Sequence, residues 1–205
     1  MNARRSTLAV LTAALALLAC GRDEGEQAAP PPDPAPAARA PGPPPLSVSP
    51  AGGAPGTEVR LAMSGLVLHA KVEVGFGSLV GHEILAAGEA DVDGGYTAVV
   101  TIPPAAPPGI SWFFLAEQET TARISAPTPF LVTAANGSVR VTGHMTGEGV
   151  ECPAMRGEAG ELYTLAAVDE LPEAGTKVMV EGTLAEMSPC QQGLTIAVTS
   201  LRALR

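Results

Sequence analysis

The 205-residue sequence predicts an all-β protein. Three observations carry that expectation. Apolar and polar residues alternate with period two through Thr57–Met63 and Val67–Phe76, and again through most of the chain beyond residue 138. No part of the folded region shows the 3.6-residue spacing of an amphipathic helix. The connections draw on 23 glycines and 20 prolines, which supply turns and interrupt helices.

The chain opens differently. Arg4 and Arg5 precede an apolar stretch from Leu8 to Ala19, broken only by Thr12, and a polar run follows Cys20. This is the layout of an export signal over residues 1–19. About twelve apolar residues rise about 18 Å as a helix, too little for a hydrocarbon core of about 30 Å. The sequence Leu17, Leu18, Ala19, Cys20 resembles the lipobox of bacterial lipoproteins. That resemblance implies that Cys20 is lipidated and becomes the new N-terminus, a palmitate-bearing anchor. Gly21, where an Asp would favour retention in the inner membrane, implies the outer membrane.

Residues 20–45 form the expected linker. Nine of the sixteen residues from Pro30 to Pro45 are proline, and almost none of the segment is large and apolar, so it is predicted to be disordered and extended. At about 3.1 Å per residue it would reach about 75 Å from the anchor.

Residues 46–135 read as an immunoglobulin-like sandwich. Val59, Leu61 and Met63 point to one side of their strand. Leu68, Ala70, Val72, Val74 and Phe76 do so in the next, with His69, Lys71 and Glu73 outward. Asp93, Gly94 and Gly95 predict a hairpin turn before a strand with Tyr96, Ala98, Val100 and Ile102 inward. "ISWFFLAEQ" is apolar on both faces, and "PFLVTA" closes the unit. About seven strands in this length match the rhythm of such a sandwich. At "LSVSPAGGAPGTEVRLAMSG", "PPGISWFFL" and "APTPFLVTA" the unit resembles the IPT/TIG group of immunoglobulin-like domains.

Residues 138–205, after the Asn136–Gly137 turn, read as a small OB-like β-barrel. "SVRVTGHMT", "ELYTLAAV", "TKVMVEGTLAEM" and "GLTIAVTSLRAL" alternate in turn, and about five antiparallel strands of this length close most economically as a barrel. The stretch from "TGEGVECPAMRGEAGELYTL" to "VMVEGTLAEMSPCQQGLTIAVTSL" resembles an uncharacterised DUF-type domain of bacterial envelope proteins. Neither resemblance brings a catalytic residue.

With Cys20 consumed by lipid, Cys152 and Cys190 remain for an oxidising compartment and are expected to form a disulfide. In a five-stranded barrel that bond would join the two loops that OB folds use for ligands. The alternatives are a metal pair with His144, which lacks zinc-site spacing, and a reactive thiol pair, which lacks C-x-x-C. Arg156, Gln191 and Gln192 beside this clamp are candidate binding residues, able to hydrogen-bond a sugar or a peptide backbone, with solvated turn side chains as the plain alternative.

Other polar residues read as structural. His69 and His82 with Glu83 are expected at the surface, and Asp91 with Asp93 as a turn lacking the distal Glu of a calcium loop. No acid, base and nucleophile share a known spacing. Trp112, Phe113 and Phe114 include at least one core residue, and Phe113 or Trp112 is a candidate for an exposed docking patch, the second unit among its partners.

Loss of residues 1–19 would leave ten basic against 21 acidic side chains, a formal charge of −11 in place of −9. Nucleic acid is therefore not an expected partner. The sequence thus predicts a lipid-anchored envelope protein, facing the periplasm or the surface, that acts as a non-catalytic binding or structural module. Its partners would be the membrane, through the lipid, and an envelope protein or glycan. The alternative is a carrier of a small ligand or glycan at the rim near Cys152 and Cys190. No cofactor or metal is expected.

Overall fold

The computed structural model describes residues 44, 46–78, 80–119, 121–185, 187–190 and 192–204. The export segment, Cys20, the linker up to residue 43 and Gln191 lie outside them. Residues Pro41–Arg205 form one compact unit, built entirely of strands and connections among the described residues.

The first half is a sandwich of eight strands: β1 (Ser47–Ser49), β2 (Gly52–Gly53), β3 (Glu58–Met63), β4 (Lys71–Gly77), β5 (His82–Glu89), β6 (Tyr96–Thr101), β7 (Gly109–Glu117) and β8 (Thr128–Val132). One sheet runs β1-β3-β6, the other β2-β8-β7-β4-β5. The period-two pattern sets what each sheet buries. Val59, Leu61 and Met63 from one sheet meet Val72, Val74, Phe76, Phe113 and Phe130 from the other. Phe113 lies at the centre, with the Phe76 ring at 4.7 Å and the Phe130 ring at 5.5 Å. Tilted and edge-on ring pairs of this kind add about 1 kcal/mol each beyond their burial.

The second half is a closed barrel of β9 (Ser138–Thr146), β10 (Ala154–Gly157), β11 (Leu162–Ala166), β12 (Lys177–Leu184) and β13 (Leu194–Ala203), in the order β10-β11-β13-β12-β9. All neighbours are antiparallel except β11 and β13, which run parallel. Val139, Val141, Met145, Met155, Tyr163, Leu165, Val178, Val180, Leu194 and Ile196 fill the interior. Two glycines let so few strands close. A methyl on Gly143 would be driven into the Arg156 carbonyl oxygen, and one on Gly182, beside the β12–β13 bulge, into that of Ala197.

The halves share apolar contacts. Leu131 on β8 faces Ile110 on β7, on the side of the sheet away from the sandwich core, and both pack with the barrel cluster. These contacts are made by Ile110 and Leu131, not by Phe113 or Trp112, which the sequence offered as a docking patch. Phe113 is buried in the core and forms no exposed patch. Phe114 points outward yet is buried: its ring lies over Gly75, with the Arg123 guanidinium 4.6 Å from its centre and the His82 ring edge-on at 4.8 Å.

Two sequence expectations are corrected. The strand predicted from Val67 begins at Lys71, and Leu68 is exposed, not inward. The 67–70 stretch turns instead, with Leu66 N–H donating to the Gly94 carbonyl, Ala70 N–H to that of Val67, and His69 at φ +61°. The expected hairpin at Asp93–Gly95 is an arch between sheets, since β5 pairs with β4 and β6 with β3. Asp91 forms the turn by accepting the N–H groups of Asp93 and Gly95, which hold its carboxyl below the usual range, Gly95 contributing most.

Candidate functional site

The site is built on the outer face of β10, β11 and β13. Pairing puts Ala154, Thr164 and Thr195 on that face and Met155 and Tyr163 on the inner one. Outward residues of a small barrel ordinarily meet water, yet all three are buried. The 147–153 and 185–193 loops cover them. Thr164 Oγ1 donates to the Gln192 carbonyl at 3.1 Å and lies 2.9 Å from Thr195 Oγ1. These bonds satisfy hydroxyls that would otherwise cost about 1–3 kcal/mol each to bury.

The Cys152–Cys190 disulfide joins the two loops, across a sequence separation of 38 residues. The bond removes both sulfurs as metal ligands or reactive thiols. His144 stands apart on β9, at the register position facing Arg156 and Lys177. A second tie runs beside the disulfide, where Val150 N–H donates to Gln192 Oε1 at 3.1 Å.

Between the loops lies a cavity of about 280 Å³, lined by Val150, Glu151, Cys152, Thr164, Cys190 and Gln192. Its lining is mixed: Glu151, Thr164 and Gln192 are polar, and Val150, apolar, is 80 % exposed. Exposed apolar side chains on loops held rigid by a covalent tie lose little conformational freedom on contact with a ligand. The arrangement suits a ligand with an apolar portion and a few hydrogen-bonding groups, and Gln192 can both donate and accept.

Gln192 therefore lines the cavity, whereas Arg156 does not. Arg156 braces the rim from the side, pairing with the Glu148 carboxylate through Nε and Nη2, each at 2.7 Å, and donating to the Gly160 carbonyl at 2.8 Å. Val150, Thr164 and Thr195 carried no signal in the sequence. Their alternation or loop position gave no sign that one loop would fold over a strand face.

A buried polar pair sits at the inner end of the barrel. Tyr163 donates its hydroxyl to Glu161 Oε1 at 2.9 Å, and both side chains are buried. Burial pushes the Tyr163 phenol well above its ordinary value, and the adjacent Glu161 carboxylate pushes it further.

The two histidines of the sandwich stand apart from each other. His69 Nδ1 is 2.8 Å from Glu89 Oε1 at the surface, at one end of β5, and His82 begins the other end. About 3.3 Å per residue separates them by about 20 Å. Among the described residues no three His, Cys, Asp or Glu side chains cluster closely enough to hold a metal ion.

No family model and no curated protein sequence matches the chain. Among solved structures it is similar to one described as a biofilm associated protein, BSP domain, at 12 % identity and a TM-score of 0.32. The similarity covers 78 % of this chain and 29 % of that one, so this chain spans less than a third of that protein's length.

Proposed function

We propose that the protein is a membrane-tethered module of the bacterial envelope that binds or scaffolds without catalysis, presenting the two stapled loops of its barrel as the recognition surface. The Cys152–Cys190 bond is the observation that carries the reading. A disulfide persists in an oxidising compartment, in keeping with the export signature at residues 1–19. The same bond holds two ligand-facing loops of an OB-like barrel in one arrangement. Lipid at Cys20 fixes location, and the linker over residues 20–45 sets reach. Stable anchoring needs more than one acyl chain, which the lipobox resemblance supplies. Cys20→Ala should leave the folded part intact and release it from membranes. A variant that still sediments with membranes would exclude the tether.

A second reading follows from the cavity itself: a carrier of a small ligand or glycan, with Gln192 at the rim and Arg156 bracing it through Glu148. Titration with envelope glycans should move the amide resonances of Val150 and Gln192 first. Unchanged spectra at millimolar glycan would exclude this carrier role.

A further inference from the structure

Edge strands present unpaired backbone groups, and proteins ordinarily blunt them by shortness, charge, proline or a bulge. The sandwich has four such edges, and three are blunted. β1 is three residues long and runs into Pro50, and β2 is two residues long. β5 is interrupted at Leu85, which has no partner between the Ala86↔Val74 and Ile84↔Gly75 pairs, and it carries Glu83 and Glu89. The fourth, β6, is Tyr-Thr-Ala-Val-Val-Thr, regular in register and without charge.

The backbone of β6 shows which groups are free. Ile102 N–H donates to the Thr57 carbonyl, so by antiparallel alternation Val100, Ala98 and Tyr96 bond to β3. Thr97, Val99 and Thr101 therefore aim N–H and C=O away from the sheet. Their side chains are exposed, Val99 by 61 %. Beside this edge lies a groove of about 430 Å³ between β5 and β6, lined by the small residues Ala86, Gly88, Thr97 and Val99 and also by Glu89, Asp91 and Tyr96.

We propose that β6 pairs antiparallel with β6 of a second copy of this chain, about a two-fold axis at Val99. The outward sequence Thr97-Val99-Thr101 reads the same in both directions. That register sets Val99 opposite Val99 and Thr97 opposite Thr101, each pair exchanging both backbone hydrogen bonds, as a closed two-fold interface requires. Two chains of net charge −9 repel overall, and the proposed register keeps acid from facing acid at this edge. The acids nearest β6, Glu89, Asp91 and Asp93, lie at its Tyr96 end, and the antiparallel register directs them toward the uncharged 102–107 segment of the other copy. The result is a continuous sheet, β1-β3-β6 joined to β6-β3-β1.

The test uses the full chain, solubilised in detergent. Sedimentation equilibrium should show protein mass doubling as concentration rises from about 1 to about 100 μM, in the range of weak, small interfaces. Val99→Lys should remain at single mass throughout while keeping the wild-type thermal midpoint. Val99→Cys should give a covalent dimer that reductant dissolves. Thr97→Cys should not, because a four-residue offset across the axis separates the sulfurs by about 13 Å, beyond disulfide reach. A wild-type chain of single mass at about 100 μM, Val99→Lys dimers, or equal cross-linking of the two cysteine variants would overturn the pairing. So would protection of the Thr97 and Val99 amides by a different polypeptide on a monomeric chain.

Discussion

Cys152 and Cys190 hold their α-carbons 5.5 Å apart between the β9–β10 and β12–β13 loops, directly over Thr164. Closing a loop of this length removes chain entropy from the unfolded state worth about 4 kcal/mol. The paired Cys152→Ala and Cys190→Ala substitutions should lower stability by up to that amount, read as a shift of the denaturant midpoint. Amide exchange at Val150 and Gln192 should accelerate most. An unchanged midpoint would mean that the loops are held by their other contacts.

Two nearby glycines on the barrel make a matched comparison. Gly143→Ala should cost about 3 kcal/mol, because the methyl meets the Arg156 backbone, which cannot step aside. At Gly147 a methyl meets nothing within 4 Å, so Gly147→Ala should stay within about 0.5 kcal/mol of wild type. Thermal melts of both variants decide the point.

The tyrosines make stability sensitive to alkali. Burial raises both phenols, Tyr163 far more than Tyr96, above the value of about 10 that they take in an unfolded chain. Their contribution is therefore fully present below pH about 10 and declines as pH rises further, when only the unfolded chain releases the protons. Phenolate absorbance at alkaline pH should therefore rise when the protein unfolds. Asp91 acts oppositely: its lowered carboxyl stabilises the turn above pH about 4 and ceases to do so as pH falls below that.

Leu131 couples the two halves, its backbone in the sandwich and its side chain in the barrel core. Leu131→Ala should cost about 2–5 kcal/mol and split thermal unfolding into two transitions. Calorimetry would show this as a second peak absent from the wild type.

Legibility in the sequence followed the physics of each segment. Val59, Leu61 and Met63, or Val139, Val141 and Met145, face a core on one side only, so alternation reported their strands directly. Asp91–Gly95 could not be read fully, since the same turn chemistry serves a hairpin and an arch, and only pairing with β3 or β4 distinguishes them. Val67 and Leu68 continue the β4 alternation by composition, but backbone bonds to Ala90 and Gly94 bend the chain away. At the site, the cysteines announced the staple. The burial of Thr164 and Thr195 depends on a loop packed from outside, which no local pattern encodes.

Mass spectrometry of the native protein taken from membranes tests the tethered, stapled module most directly. The expected species begins at Cys20, carries a diacylglyceryl thioether there, and weighs two hydrogens less than the reduced chain, with Cys152 linked to Cys190. A chain that retains residues 1–19, or a mature one without acyl groups and with both remaining thiols free, would contradict it.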